Sequence, residues 1–133
     1  MTGLEEATLG MGCFWNSEET LANTKGIKVT EVGFMGKDKV EVVRLQFDPK
    51  IIEYNQILSL FFNNHDTSVS KGNEQSVIFF RNRKQKIAAL ESRANYRTLL
   101  KIQVNTKITR VSTSPFYRKA SEEHQKHYQK GSS

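Results

Sequence analysis

Along this chain the apolar residues switch repeatedly between a period of two and a period near 3.6, and the order of those switches most constrains the fold. A weakly apolar stretch over 6–10 reads as a strand. The stretch 14–24 reads as a helix closed at Lys25-Gly26, where glycine supplies a helix stop. Ile27, Val29, Glu31 and Phe34 open a second strand, followed by a turn at Met35-Gly36-Lys37-Asp38. Over 40–47, Val40, Val42, Arg44 and Gln46 alternate with Glu41, Val43, Leu45 and Phe47, which predicts a hairpin or two adjacent strands. Helical spacing returns over 53–64 with Tyr54, Ile57, Leu58, Phe61 and Phe62. A buried strand is expected over 76–80, then a long helix over 82–100 with Ile87, Leu90, Ala94 and Leu99 inward. An edge strand over 107–113 carries its threonines and basic residues outward, and the tail from Pro115 reads as irregular, then weakly helical. This order predicts an α+β fold, a ferredoxin-like α/β sandwich with helices packed on an antiparallel or mixed sheet. Such a fold decides nothing about activity.

The 133 residues suit a single domain spanning 1–133, since one core fits this length and two ordinary ones do not. Hydrophobic residues at 37% and charged residues at 26% place the chain among globular proteins and away from disordered ones. No apolar run reaches the ~20 residues a membrane span needs, and the first residues are polar and acidic. The expectation is a cytoplasmic protein with no membrane partner. A net charge of +6 obliges a search for nucleic-acid contacts. Arg81, Arg83, Lys84, Lys86, Arg93 and Arg97 fall mostly on one helix interrupted by Ala88, Ala89 and Glu91, and read better as a solvated face than as a phosphate track. No nucleic-acid partner is expected.

Cys13 is the only cysteine, so this sequence forms no internal disulfide and no cysteine-based metal site. It falls at the start of the first helix, where free backbone N–H groups and the helix dipole favour thiolate over thiol. A lone cysteine is as often a buried structural residue, and position alone leaves both readings open. Phe14 and Trp15 follow at once. A sulfur near a ring edge gains ~0.3–1.5 kcal/mol, so the two aromatics suit the methyl end of a methionine derivative, unless both belong to the core. Glu41 shares its side of a strand with Val43, Leu45 and Phe47, and a carboxylate on an apolar face calls for an explanation. The plainer reading is a surface carboxylate on an edge strand. Asp66, just after a helix, has the position of a cap or turn former, and His65 that of a solvated residue. No ligand cluster suggests a metal.

Gly12-Cys13-Phe14-Trp15 resembles the signature of the A-type peptide methionine sulfoxide reductases. Val40-Glu41-Val42-Val43-Arg44 with Phe47-Asp48-Pro49 is similar to that family's strand bearing its acidic residue. Phe61-Phe62-Asn63-Asn64-His65-Asp66 resembles its histidine-aspartate motif. Pro115-Phe116-Tyr117, His124-Gln125 and Tyr128 resemble its closing segment. The resemblance runs from about Thr8 to Tyr128 in the family's order. It implies that Cys13 attacks the sulfur of methionine-S-sulfoxide, free or in peptides and proteins, and becomes a sulfenic acid, a reversible oxidation state. Glu41 would give a proton to the sulfoxide oxygen, since an oxide ion is a very poor leaving group and a carboxyl in a low-dielectric pocket is the natural donor. Phe14 and Trp15 would hold the substrate methyl group, and Asp66 would line the pocket through a water. No bound cofactor is expected. The sulfenic acid would be reduced by an external thiol, whether thioredoxin, glutaredoxin or a small thiol.

This sequence also departs from the pattern. Between Gly36 and Lys39 only Lys37-Asp38 stand where the family carries a long glycine-rich loop with a tyrosine, and Glu74-Gln75 stand where a second tyrosine precedes the 76–80 strand. Both tyrosines hydrogen-bond the sulfoxide oxygen in the family. Losing such donors costs on the order of 2.7–4 kcal/mol each where they act as oxyanion-hole donors do. Glu74 and Tyr54 are the candidate replacements. Two alternatives follow: a degenerate member that binds thioether or sulfoxide ligands without efficient turnover, and a basic ferredoxin-like module that binds RNA on its sheet. Against the second, Phe79-Phe80 point to opposite faces and read as strand packing.

Overall fold

The computed structural model describes residues 3–100, 103–111 and 116–117. The elements run β1 (Glu5–Met11), α1 (Phe14–Ala22), β2 (Ile27–Met35), β3 (Val40–Phe47), α2 (Tyr54–Asn63), β4 (Ser76–Phe80), α3 (Arg83–Leu100), β5 (Lys107–Arg110) and β6 (Phe116–Tyr117). The sheet order is β5-β4-β1-β3-β2-β6. β1 and β2 both pair antiparallel with β3, so they run parallel to each other and need a crossover, which α1 provides. β3 and β4 flank β1 in the same way, with α2 as their crossover. β5 lies parallel beside β4, and the long α3 makes that connection. The four central strands and two crossover helices form the ferredoxin-like core that the order of apolar periods predicts.

The period of two sorts the strands between two faces. Leu9, Val43, Leu45 and Ile78 join Leu21 of α1, Ile57, Leu58 and Phe61 of α2, and Ala89 of α3 in the main core. Across the sheet, Met35, Val40, Val42, Val77 and Phe79 form a second cluster. By alternation Glu41 belongs with Val43, on the face the helices cover. Glycine is required at Gly26, where φ is +98° and a Cβ would stand 2.7 Å from the Ile52 side chain.

The inward face of α3 is not the predicted one. Ile87, Leu90 and Leu99 are 44%, 39% and 71% exposed, and Ala94 is exposed as well. Gln85 and Ala89 are buried instead, with Ala88 and Tyr96 packed against the core. Gln85 takes an inward place because both ends of its amide are bonded: its Nε2 donates to the Glu6 carbonyl at 2.9 Å, and its Oε1 accepts from the Arg81 N–H at 3.0 Å. Asn82 caps the helix by accepting from the Gln85 N–H at 2.9 Å. The predicted solvated basic face is also partly engaged. Arg93 donates to the Thr106 carbonyl at 2.9 Å and Arg97 to that of Val104 at 3.1 Å, holding the approach to β5 against the helix. The first helix stops at Ala22, two residues short of expectation, and β5 at Arg110. The rest of the predicted edge strand, over 112–113, and the tail beyond 117 lie outside the described residues. Among the described residues no helix is long and apolar enough to cross a membrane.

Candidate active site

β1 gives way to α1 through Gly12, whose φ of +85° turns the chain sharply, and Cys13 takes the N-cap position with φ −61° and ψ 123°. The Ser17 hydroxyl lies 3.0 Å from the carbonyl oxygens of both Met11 and Cys13, which ties the turn to the first helical turn. Cys13 is a free thiol, half-buried.

Register explains what the thiol meets. On one side of β1, Leu9 stands opposite Val43, so two more steps along β1 approach Glu41 on β3. On the other side Met11 stands opposite Ser76, so the residues just before Ser76 lie beside those just after Met11. Both neighbouring chains close in on Gly10, where a Cβ would stand 3.1 Å from Val40 Cγ1 and 3.2 Å from the Gln75 carbonyl. The Glu41 N–H donates to the Asn73 carbonyl at 2.7 Å, joining the two sides over the end of β1. One sulfur or oxygen atom from each of Cys13, Glu41 and Glu74 then lies within 4.8 Å of the others. Glu41 is half-buried and Glu74 exposed.

Glu74 is held by its neighbours. Buried Gln75 accepts from Lys107 Nζ at 2.9 Å and donates to Asp38 at 3.4 Å, and the Asn73 side chain donates to the Lys39 carbonyl at 3.4 Å. The short β2–β3 turn is thereby fastened to the segment before β4. The sequence reading named Glu74 only as a replacement donor. Antiparallel pairing of β4 with β1, which ends two residues before Cys13, is the signal that places it.

The other candidates fall in different places. Trp15 is half-buried against the main core, and the Phe14 side chain lies outside what is described. Asp66 is exposed, and its carboxylate accepts from the Ser68 N–H at 3.0 Å and the Ser68 hydroxyl at 2.6 Å, bonds that hold it below the usual carboxylate range. It forms a turn and is not among the donor atoms gathered at Cys13. Tyr54 stacks on Phe47 at 6.4 Å, and its hydroxyl is buried without a hydrogen-bond partner among the described residues. Phe47 pairs with Glu5, at the opposite end of β1 from Cys13, so Tyr54 stands roughly 20 Å of strand away and supplies no donor to the thiol.

His65, expected to be solvated, is half-buried behind the site. Its Nδ1 lies 2.6 Å from the Phe61 carbonyl, which can only accept, so Nδ1 carries the proton. Nε2 accepts from the Ser76 hydroxyl at 2.7 Å, and Ser76 Oγ lies 2.7 Å from Thr106 Oγ1. Burial holds the imidazole below its ordinary value, against smaller opposing effects of the Phe61 bond and Asp66. The thiol and two carboxyls also make a three-donor set that a divalent cation could take, a cluster the sequence reading did not find.

A cysteine at a strand-to-helix turn, facing a half-buried carboxyl on a ferredoxin-like sheet, is an arrangement that suits thiol-based redox chemistry. Residues 5–133 match the model of the peptide methionine sulfoxide reductases, and the chain belongs to that family. It is 36% identical over 149 residues to the peptide methionine sulfoxide reductase MsrA of Pelagibacter ubique, covering 96% of this chain and 99% of the relative. To the MsrA of Methanococcus maripaludis it is 34% identical over 152 residues, covering 98% and 95%. The fold is similar to reduced Mxr1 of Saccharomyces cerevisiae, with a TM-score of 0.87, 21% identity and coverage of 98% and 87%. A structure of Mxr1 in complex with Trx2 also matches, with a TM-score of 0.76, 23% identity and coverage of 94% and 85%. The chain is thus an enzyme that reduces methionine sulfoxide.

Proposed function

We propose that Cys13 is the nucleophile and Glu41 the acid in reduction of methionine-S-sulfoxide, free or in peptides and proteins. The observation that carries this is the convergence of the Cys13 sulfur and the Glu41 carboxyl at the end of β1. Cys13 sulfur attacks the sulfoxide sulfur, Glu41 protonates the oxygen, and that oxygen passes to Cys13. Methionine leaves reduced by two electrons, and Cys13 is left oxidised by two as a sulfenic acid. Phe14 and Trp15 hold the substrate methyl group, and Asp66 acts at most through water.

With one cysteine in the sequence, an external thiol attacks the sulfenic acid, releasing water and leaving a mixed disulfide, and a second thiol releases Cys13. A thioredoxin-like reductant is favoured because the yeast protein of the same fold has been captured with Trx2; glutaredoxin or a small thiol could perform the same two exchanges. The reducing cytoplasm suits this cycle.

The test is a single turnover of the reduced protein with a peptide containing methionine-S-sulfoxide, counting methionine and trapping the sulfenic acid. About one equivalent of methionine without added reductant is expected from the one-cysteine cycle. No methionine from a protein that still binds the peptide would favour a degenerate binding protein, the reading that the missing tyrosines support.

A further inference from the structure

Every route from thiol and sulfoxide to sulfenic acid and thioether moves one proton from sulfur to oxygen. The half-buried Glu41 can deliver a proton to the oxygen, but it cannot take the Cys13 proton in the same step. A second group that takes it in that step has to reach both Cys13 and Glu41. Among the described residues, Glu74 alone joins these two in one cluster of ligand-type side chains. Its exposed position on a fastened segment leaves it open to solvent while Gln75, tied to Lys107 and Asp38, fixes the backbone next to it.

We propose that Glu74 is a second catalytic carboxyl, working with Glu41 as a pair that begins and ends each turnover holding one proton between them. This rests on the reductase reading above. As Cys13 sulfur attacks the sulfoxide sulfur, Glu74 takes the thiol proton while Glu41 gives its own to the sulfoxide oxygen. Glu74, now protonated, can donate a hydrogen bond to the same oxygen. The oxygen transfers to Cys13 as the S–O bond to methionine breaks, and the proton on Glu74 returns to Glu41. Electrons balance, because the cysteine sulfur loses the two that the methionine sulfur gains. Protons balance, because the one lost by the thiol equals the one carried by the sulfenic acid. Both the 4.8 Å limit and the exposure of Glu74 suit transfer through one water.

Single-turnover rates with saturating methionine-S-sulfoxide peptide test this in the wild-type protein, Glu74→Gln, Glu41→Gln and the double variant. Glu74→Gln should lower the rate ~100-fold, as expected for loss of a general acid–base group, with peptide affinity unchanged. Because both carboxyls handle one proton, the double variant should be no slower than the slower single variant. A wild-type rate in Glu74→Gln, a loss confined to peptide affinity, or losses that multiply in the double variant would each overturn the proposal. A wild-type protein that forms no methionine would instead remove the reductase reading itself.

Discussion

The two ends of β1 use polar residues in opposite ways. At the Glu5 end, among the described residues, lie two clefts of about 450 and 540 Å³ bordered by residues such as Glu5, Arg81, Gln85 and Tyr54. Much of their polar chemistry is already committed: Arg81 pairs with Glu6 at 3.0 Å, and both ends of the Gln85 amide are bonded to backbone. At the Met11 end, a thiol and two carboxyls are gathered over the end of β1 by strand register. The groups that can carry redox and proton chemistry converge instead where β1 turns into α1.

Substitutions should separate the two ends. Cys13→Ser is expected to abolish methionine formation in the single-turnover assay while the thermal transition stays cooperative, because the side chain is half-buried and nearly isosteric. Residual turnover in that variant would remove the nucleophile from the scheme. Glu41→Gln should slow sulfenic acid formation by ~10²–10⁴, the range for loss of a general acid, with little change in peptide affinity. Equal rates for Glu41→Gln and wild type, measured by rapid quench, would show that the proton comes from elsewhere.

The sequence made the fold legible because period-two and period-3.6 segments alternate cleanly from β1 to β4, and parity alone puts Glu41 with Val43 and Leu45. It failed on α3, where Gln85 occupies an inward position that no hydrophobic count would give it, leaving Ile87 and Leu90 outward. It also misjudged His65, whose bonds run to Phe61 and to Ser76, partners that only the folded chain brings together. Glu74 was legible only in part. Its place beside Cys13 depends on which strands pair, and local pattern names strands without naming their partners.

At the opposite end, Tyr54→Phe sharpens the contrast. The Tyr54 hydroxyl is buried without a partner among the described residues, and burial pushes its ionisation well above the ordinary tyrosine range. Removing an unsatisfied hydroxyl relieves a desolvation cost, so Tyr54→Phe should stabilise the fold by ~1 kcal/mol in urea unfolding. The turnover rate should be unchanged. A fall in rate as large as that of Glu41→Gln would mean that the two ends are coupled.

The smallest expected effect is a pH dependence of stability from His65. Its folded-state value lies below the ordinary 6.5, chiefly through burial, so the unfolded chain binds a proton more readily over that interval. The native state is therefore unpenalised above about pH 6.5 and loses stability as pH falls below it, levelling off once the folded imidazole also protonates. Asp66, the charged neighbour that opposes the shift, titrates in a separate window: its folded value lies below 3.8, and its contribution is lost only as pH falls further. Protonation of His65 would turn Nε2 from acceptor to donor and force the Ser76 hydroxyl to reverse, disturbing its contact with Thr106. Thermal unfolding of wild type and His65→Gln between pH 7.5 and about 5 measures this. The wild-type transition should fall more steeply with acid than that of the variant, and identical slopes would show that the buried imidazole does not set the pH response of the core behind the thiol.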